Sequence, residues 1–241
     1  MDDPLEELKR AAAERAVDEY VESGMVVGLG TGSTAAHAVR RIGALISAGE
    51  LEDVRGVPTS ARIAALAREE GIPLVTLSEA RPLFTIDGAD EIGPGLALIK
   101  GRGGALLREK IVASAGDGLV VIADETKLVE SLGVGSLPVE IEPCGYEITL
   151  EDLSSLGCEP TLRLQGAGSQ TGDANHPFVT DGNHYTADCL FPGGIPDPAA
   201  LEEDIKSIPG ALECGLFVGL ARAAVVARGG AETEILPASP G

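Results

Sequence analysis

Residues 25–34 read Met25-Val26-Val27-Gly28-Leu29-Gly30-Thr31-Gly32-Ser33-Thr34. The first five form a short apolar run of the kind that makes a buried strand, and the glycines at 30 and 32 break it. From Ser33 the period changes, and Ala35, Val39, Ile42 and Ile46 fall on one face of a helix. A buried strand, a glycine turn and an amphipathic helix are the opening of a βαβ unit. Upstream, Asp3 can cap and Pro4 can open a helix whose first turn carries Glu6 and Glu7. Leu5, Leu8, Ala12, Ala16 and Val17 supply its apolar stripe. Downstream, short strands near 54–57, 73–77 and 119–123 and short apolar runs at 83–86 and 96–99 alternate with helical patterns at 60–70 and 104–115. The expected fold class is α/β, a mainly parallel Rossmann-like sheet domain.

After about residue 134 the texture changes. A strand at 137–141, a short helix at 150–156 and a strand at 161–164 lead into a polar glycine-rich loop, 166–175. Residues 178–180, the Asp181-Gly182-Asn183 turn and residues 185–190 read as a β-hairpin. A helix at 198–207 and apolar runs at 212–219 and 223–227 follow. These patterns predict a Rossmann-like catalytic domain built from 1–133 and 205–232. An inserted smaller α+β domain, 134–204, would serve oligomerisation or act as a lid, and 233–241 would be a tail. No internal repeat is visible.

Charge limits the partners. With 18 Lys and Arg against 38 Asp and Glu the formal charge is −20, which would repel nucleic acid and anionic membranes alike. Five of the cations are Lys and the rest Arg, Trp is absent, and Gly is abundant. That acidic, lysine-poor composition suits concentrated salt, where screening shortens to a few Å. No apolar run is long enough to span a bilayer, and MDDPLEELKR lacks the basic-then-apolar order of a signal peptide. Cys144, Cys158, Cys189 and Cys214 show no CxxC pattern, and His37, His176 and His184 are scattered. The expectation is a reduced cytoplasmic chain with free thiols.

Ligands of parallel α/β sheets bind beyond the carboxyl ends of the strands, and four polar clusters fall there. They are Gly30 to Thr34, Asp87-Gly88-Ala89-Asp90-Glu91, Lys100-Gly101-Arg102-Gly103-Gly104 and Asp124-Glu125-Thr126-Lys127. The first fails the dinucleotide fingerprint because position 33 is Ser, and no GxxxxGK[ST] is present. What remains is a glycine turn at a helix N-terminus, a seat for one phosphate. Asp87, Asp90 and Glu91 crowd three carboxylates, whose repulsion would raise a pKa toward acid–base use; a solvated acidic turn is the plain alternative. A metal is not expected, since no His and no second ligand set accompanies them. Lys100 and Lys127 are retained lysines in an arginine-rich chain, which points to a compact ammonium for an oxyanion or phosphate. Glu109, between Arg108 and Lys110, reads by pattern alone as a surface helix residue.

The blocks GLGTGST, DGADE, KGRGGALLREK and IADETK, in this order and spacing, resemble ribose-5-phosphate isomerase of type A. The likeness continues through Leu137-Pro138-Val139-Glu140, Asp181-Gly182-Asn183, Ile208-Pro209-Gly210 and Gly215-Leu216-Phe217. The resemblance implies interconversion of D-ribose 5-phosphate and D-ribulose 5-phosphate through an enediolate, with no cofactor or metal, in the non-oxidative pentose phosphate pathway. It implies that Glu109 is the general base between C2 and C1, and that Lys100 stabilises the enediolate oxygen. Asp87, with Asp90, would open the furanose and shuttle hydroxyl protons. Thr31, Gly32, Ser33, Thr34, Gly88, Ala89, Gly101, Arg102, Gly103 and Lys127 would complete the sugar-phosphate pocket. A homodimer or homotetramer is implied as well. Arg102 departs from the family, where many members carry Gly; it would add a cation near the phosphate or face solvent. Leu107 also departs, standing where Thr is common. The alternative reading is a non-catalytic sugar-phosphate sensor of the related fold, which would need neither Glu109 nor Lys100. A coenzyme A transferase-like enzyme is a further rival, for which no acyl-CoA motif is visible.

Overall fold

The computed structural model describes residues 4–166 and 176–238. In chain order the elements begin with α1 (Pro4–Tyr20), β1 (Val26–Leu29), α2 (Ser33–Ala48), β2 (Arg55–Pro58), α3 (Ala61–Glu69) and β3 (Phe84–Gly88). Then come β4 (Glu91–Ile92), β5 (Leu98–Ile99), α4 (Leu106–Ser114), β6 (Leu119–Asp124), β7 (Leu137–Ile141), α5 (Tyr146–Ser154) and β8 (Glu159–Leu162). The chain ends with β9 (Tyr185–Leu190), α6 (Pro198–Lys206), β10 (Ala211–Cys214), β11 (Leu216–Phe217), β12 (Ala221–Arg228) and β13 (Glu232–Pro237). The chain divides into two compact units.

The first unit takes the described residues of Met1–Ala89, Arg108–Leu128 and Gly219–Gly241. Its six-stranded sheet has the order β13-β12-β6-β3-β1-β2, parallel throughout except for β13. From β1 the chain moves out to β2 and returns across β1 to β3. The strand order therefore reverses between β1 and β3, the place where such sheets open a ligand crevice. The strands are apolar without alternation because both faces are covered, as β6 shows in being buried along its whole length. Ala12, Ala13, Ala16 and Val17 of α1 pack in the same core as Ala38, Val39 and Ile42 of α2 and the side chains of β1, β3, β6 and β12. Small residues let α1 come close to α2. Helix α2 ends where Gly49 takes φ 74° and its N–H bonds the carbonyls of Ile46 and Leu45.

The second unit takes the described residues of Asp90–Leu107 and Val129–Val218. It holds a four-stranded antiparallel sheet, β10-β7-β9-β8, and a small sheet, β11-β5-β4. Its core gathers Leu137, Val139 and Ile141 from β7 with Ala187 and Cys189 from β9, Leu153, Ile205, Cys214 and Leu216.

Several expectations change. The second unit takes Asp90–Leu107 and Val129–Val218 and so exceeds the 134–204 insertion, because β5 pairs with both β4 and β11, and β10 pairs with β7. The 233–241 segment is no tail over its described part: β13 pairs antiparallel with β12 from Arg228↔Glu232 to Ala223↔Pro237, and Ile235 packs on the core. No hairpin joins 178–180 to 185–190, since both edges of β9 are taken by β7 and β8. The turn itself is present, with Asn183 at φ 64° and Thr180 N–H donating to His184 O at 2.9 Å. Residues 73–77 make a single bridge, Gly56↔Leu74, in place of a strand. The cap at Asp3 and loop residues 167–175 lie outside the described residues. All four cysteines are free thiols, and only Cys144 is exposed. No helix among the described residues is long and apolar enough to cross a membrane.

Candidate active site

In the first unit, three of the sequence clusters stand at the carboxyl ends of β1, β3 and β6. Gly30 follows β1, and its N–H donates to Ile86 O at 2.9 Å. Gly32, at φ 141°, needs the freedom of glycine and stands at the N-terminus of α2 with no side-chain cap. The amide ends of that helix, with Ser33 exposed and Thr34 half-buried beside them, make a polarised anion seat. Thr31 turns the other way. Its hydroxyl lies 2.7 Å from Thr59 Oγ1 and donates to Ser60 Oγ at 2.8 Å, tying the turn to the start of α3.

Asp87 lies at the end of β3 and is 0% exposed. Its Oδ1 accepts the Gly88 N–H at 2.7 Å. The carboxylate reaches over Gly30, where an added Cβ would stand 2.1 Å from Asp87 Cγ. Gly88 and Ala89 follow, both half-buried. Asp124 ends β6 and is buried; its Oδ1 accepts the Thr126 N–H at 3.0 Å and also the Thr126 hydroxyl. This caps the short turn Glu125–Lys127, which leaves Lys127 half-buried just past the strand end.

Glu109 sits in the first turn of α4 and is only 3% exposed, so the surface reading of its pattern fails. The positive end of the helix dipole offsets part of the cost of burying its charge.

In the second unit, Lys100 follows β5 and is 3% exposed. Its backbone N–H donates to Gly215 O at 2.9 Å, and Gly215 N–H donates to Pro138 O at 2.8 Å. Lys100 Nζ stands 5.4 Å from the centre of the Phe217 ring, a cation–π contact. Gly101 then takes φ 104° and Gly104 φ 80°, closed by Gly104 N–H on Gly101 O at 3.0 Å. Gly103 is exposed.

Asp90 and Glu91, expected to crowd Asp87 by repulsion, are occupied otherwise. Asp90 Oδ2 accepts the Arg102 N–H at 2.9 Å. Buried Glu91 accepts Arg102 Nη2 at 2.6 Å and Gly135 N–H at 2.7 Å on Oε1, with Gly133 N–H at 2.8 Å and Val134 N–H at 3.2 Å on Oε2. Arg102, placed by sequence either at a phosphate or in solvent, is exposed, and its guanidinium pairs with the buried Glu91 carboxylate. Sequence reasoning saw Glu91 only as a third acid and missed Arg163, Thr59 and Ser60. Their partners are loop amides, carbonyls and hydroxyls far along the chain, which no local period reveals.

The family model for ribose 5-phosphate isomerase A (phosphoriboisomerase A) matches residues 55–230. A ribose-5-phosphate isomerase A of Gloeobacter violaceus is 54% identical over 240 residues, covering 98% of this chain and 99% of the relative. The chain belongs to the ribose 5-phosphate isomerase A family. Among solved structures, the Plasmodium falciparum ribose 5-phosphate isomerase superposes with a TM-score of 0.90 at 40% identity, over 97% of this chain and 99% of that one. A D-ribose-5-phosphate isomerase in complex with phospho-erythronic acid gives 0.89 at 36% identity, with the same coverage. The residues covered by this likeness belong to both units.

Proposed function

We propose that this chain interconverts D-ribose 5-phosphate and D-ribulose 5-phosphate through an enediolate, as a step of the non-oxidative pentose phosphate pathway. The observations that carry the reading are two buried charged side chains, Glu109 in the first unit and Lys100 in the second, each 3% exposed, in a chain of which 98% is matched by a ribose-5-phosphate isomerase A. A non-catalytic sensor has no use for either group.

Glu109 takes the proton from C2 of the open-chain aldose. The C2–H electrons form the C1–C2 double bond, and the carbonyl electrons move onto the C1 oxygen. Lys100 stabilises the negative charge on the enediolate oxygen. Glu109 returns the proton to C1 while a hydroxyl proton passes from O2 to O1, and the ketose forms with no oxidant or reductant consumed. Asp87, with Asp90, exchanges the protons that open the furanose. Thr31 to Thr34, Gly88, Ala89, the backbone of Gly101 to Gly103 and Lys127 hold the sugar phosphate, the α2 N-terminus serving as the phosphate seat. A homodimer or homotetramer working in a salt-rich cytoplasm completes the proposal.

The test is ribulose 5-phosphate formation by the purified protein with and without EDTA. Wild type is expected to turn over equally in both, and Glu109→Gln to lose about 10²–10⁴ in kcat. An inert wild type, or a fully active Gln variant, overturns the mechanism.

A further inference from the structure

Arg163, the residue after β8, belongs to no sequence cluster, yet it holds the loop that follows Lys100. Its own backbone is fixed, with Arg163 N–H donating to Thr186 O and Phe178 N–H donating to Arg163 O, both at 2.8 Å. One edge of the guanidinium makes a fork with Asp188: Nε to Oδ2 at 2.8 Å and Nη2 to Oδ1. The opposite nitrogen, Nη1, donates to Gly101 O at 3.1 Å and Arg102 O at 3.2 Å. The group lies 5.8 Å from the centre of the Phe178 ring, and that ring fills the space beside Gly104, where a Cβ would stand 2.4 Å from Phe178 Cζ.

Two successive carbonyls captured by one nitrogen set the sense of two successive peptides. In a trans peptide the N–H points opposite to the C=O. The Arg102 N–H is accordingly turned away from Arg163, where it meets Asp90 Oδ2 at 2.9 Å. The Gly103 N–H is turned away from Arg163 by the same geometry. Upstream, the Lys100 N–H is held by Gly215 O at 2.9 Å. The lysine therefore stands on a segment pinned on both sides.

We infer that Arg163, oriented by Asp188, is a positioning residue of the isomerisation: it fixes the Gly101–Gly103 backbone so that Lys100 and the Gly103 amide are preset for the enediolate. Lysine cannot replace it, since one ammonium cannot make a planar fork to a carboxylate and reach two carbonyls at once. The inference rests on the role given to Lys100 above.

The experiment is a double-mutant cycle of Arg163→Lys with Lys100→Met, with Asp188→Asn as a second, isosteric way of loosening the guanidinium. Steady-state kinetics are joined to inhibition by phospho-erythronic acid, whose carboxylate presents enediolate-like oxygens, and by inorganic phosphate. Arg163→Lys is expected to lower kcat/KM by about 10–100-fold and to weaken phospho-erythronic acid by a similar factor, leaving inhibition by phosphate within about twofold. Asp188→Asn shows the same pattern with a smaller loss. In the Lys100→Met background, Arg163→Lys is expected to cost less than about twofold more, because the two act as one unit.

Wild-type kcat/KM in Arg163→Lys overturns the inference, as does full additivity in the cycle. So does lost activity with unchanged phospho-erythronic acid inhibition, the mark of a merely structural role. Wild-type activity in Lys100→Met alone overturns the role of Lys100, and this inference with it. A silent Arg163→Lys in an enzyme that Lys100→Met inactivates overturns the inference only.

Discussion

Gly30 has no room for a methyl group. An added Cβ would stand 2.1 Å from Asp87 Cγ and 2.3 Å from Oδ1, so the carboxylate lies where it does only because position 30 has no side chain. Gly30→Ala is expected to displace Asp87, lowering kcat/KM about 100-fold and stability by about 1–3 kcal/mol. Gly229→Ala, whose Cβ would meet nothing nearer than 3.9 Å, should stay within about 0.5 kcal/mol of wild type. Urea melts beside the isomerase assay check both, and a fully active Gly30→Ala would show that Asp87 tolerates the shift. The same scale shows why some residues were legible and others not. Lys100 stood out because lysine is rare in this chain. Glu109 did not, because Arg108 and Lys110 flank it like a solvated face, yet Lys110 is buried as well. Arg163 left no signal at all, since it acts on the carbonyls of Gly101 and Arg102 some sixty positions away.

The hydroxyl that caps α3 also ties it to the β1 turn. Ser60 Oγ accepts the Ile63 N–H at 3.2 Å as the helix cap and also accepts the Thr31 hydroxyl at 2.8 Å. Ser60→Ala removes both partners and should lower the unfolding free energy by about 1–2 kcal/mol. Because Thr31 leads into the α2 N-terminus, the apparent KM for the sugar phosphate should rise with little change in kcat. An unchanged melt in Ser60→Ala would show that the cap is idle. Elements whose stability comes from continuous burial were readable directly, as with β7, where the strand expected at 137–141 is the strand observed, buried along its whole length. Elements defined only by distant pairing were not. The two-residue strands β4, β5 and β11 carry too few positions to show a period, and their ladder, with the pairing of β10 to β7, goes with the placing of 90–107 and 205–218 in the second unit. The edge strand β13 is largely exposed, which makes its sequence read like a tail.

At the scale of the molecule, a formal charge of −20 opposes both compaction and the approach of a phosphate dianion. The proposed phosphate seat answers the second problem locally, with the amide ends of α2 in the same unit as half-buried Lys127. The first problem has no such local answer. Ion pairs offset part of the repulsion, as Arg163 does for Asp188, Arg102 for Glu91 and Lys206 for Glu213, but acids outnumber bases about two to one. Dissolved salt would supply the rest in a salt-adapted chain. At about 1 M the screening length falls to roughly 3 Å, shorter than the spacing of most surface carboxylates. The melting temperature is therefore expected to rise from 0.1 M KCl and to level off above about 1 M, where screening is near complete. Scanning calorimetry across that series, repeated on a variant with Glu50, Glu52 and Asp53 changed to Gln, Gln and Asn, reads the effect directly. Those three acids sit together on the turn after α2, so their removal should raise the low-salt melting point and flatten the KCl dependence. A melting point indifferent to KCl would overturn the salt-adapted reading of the composition.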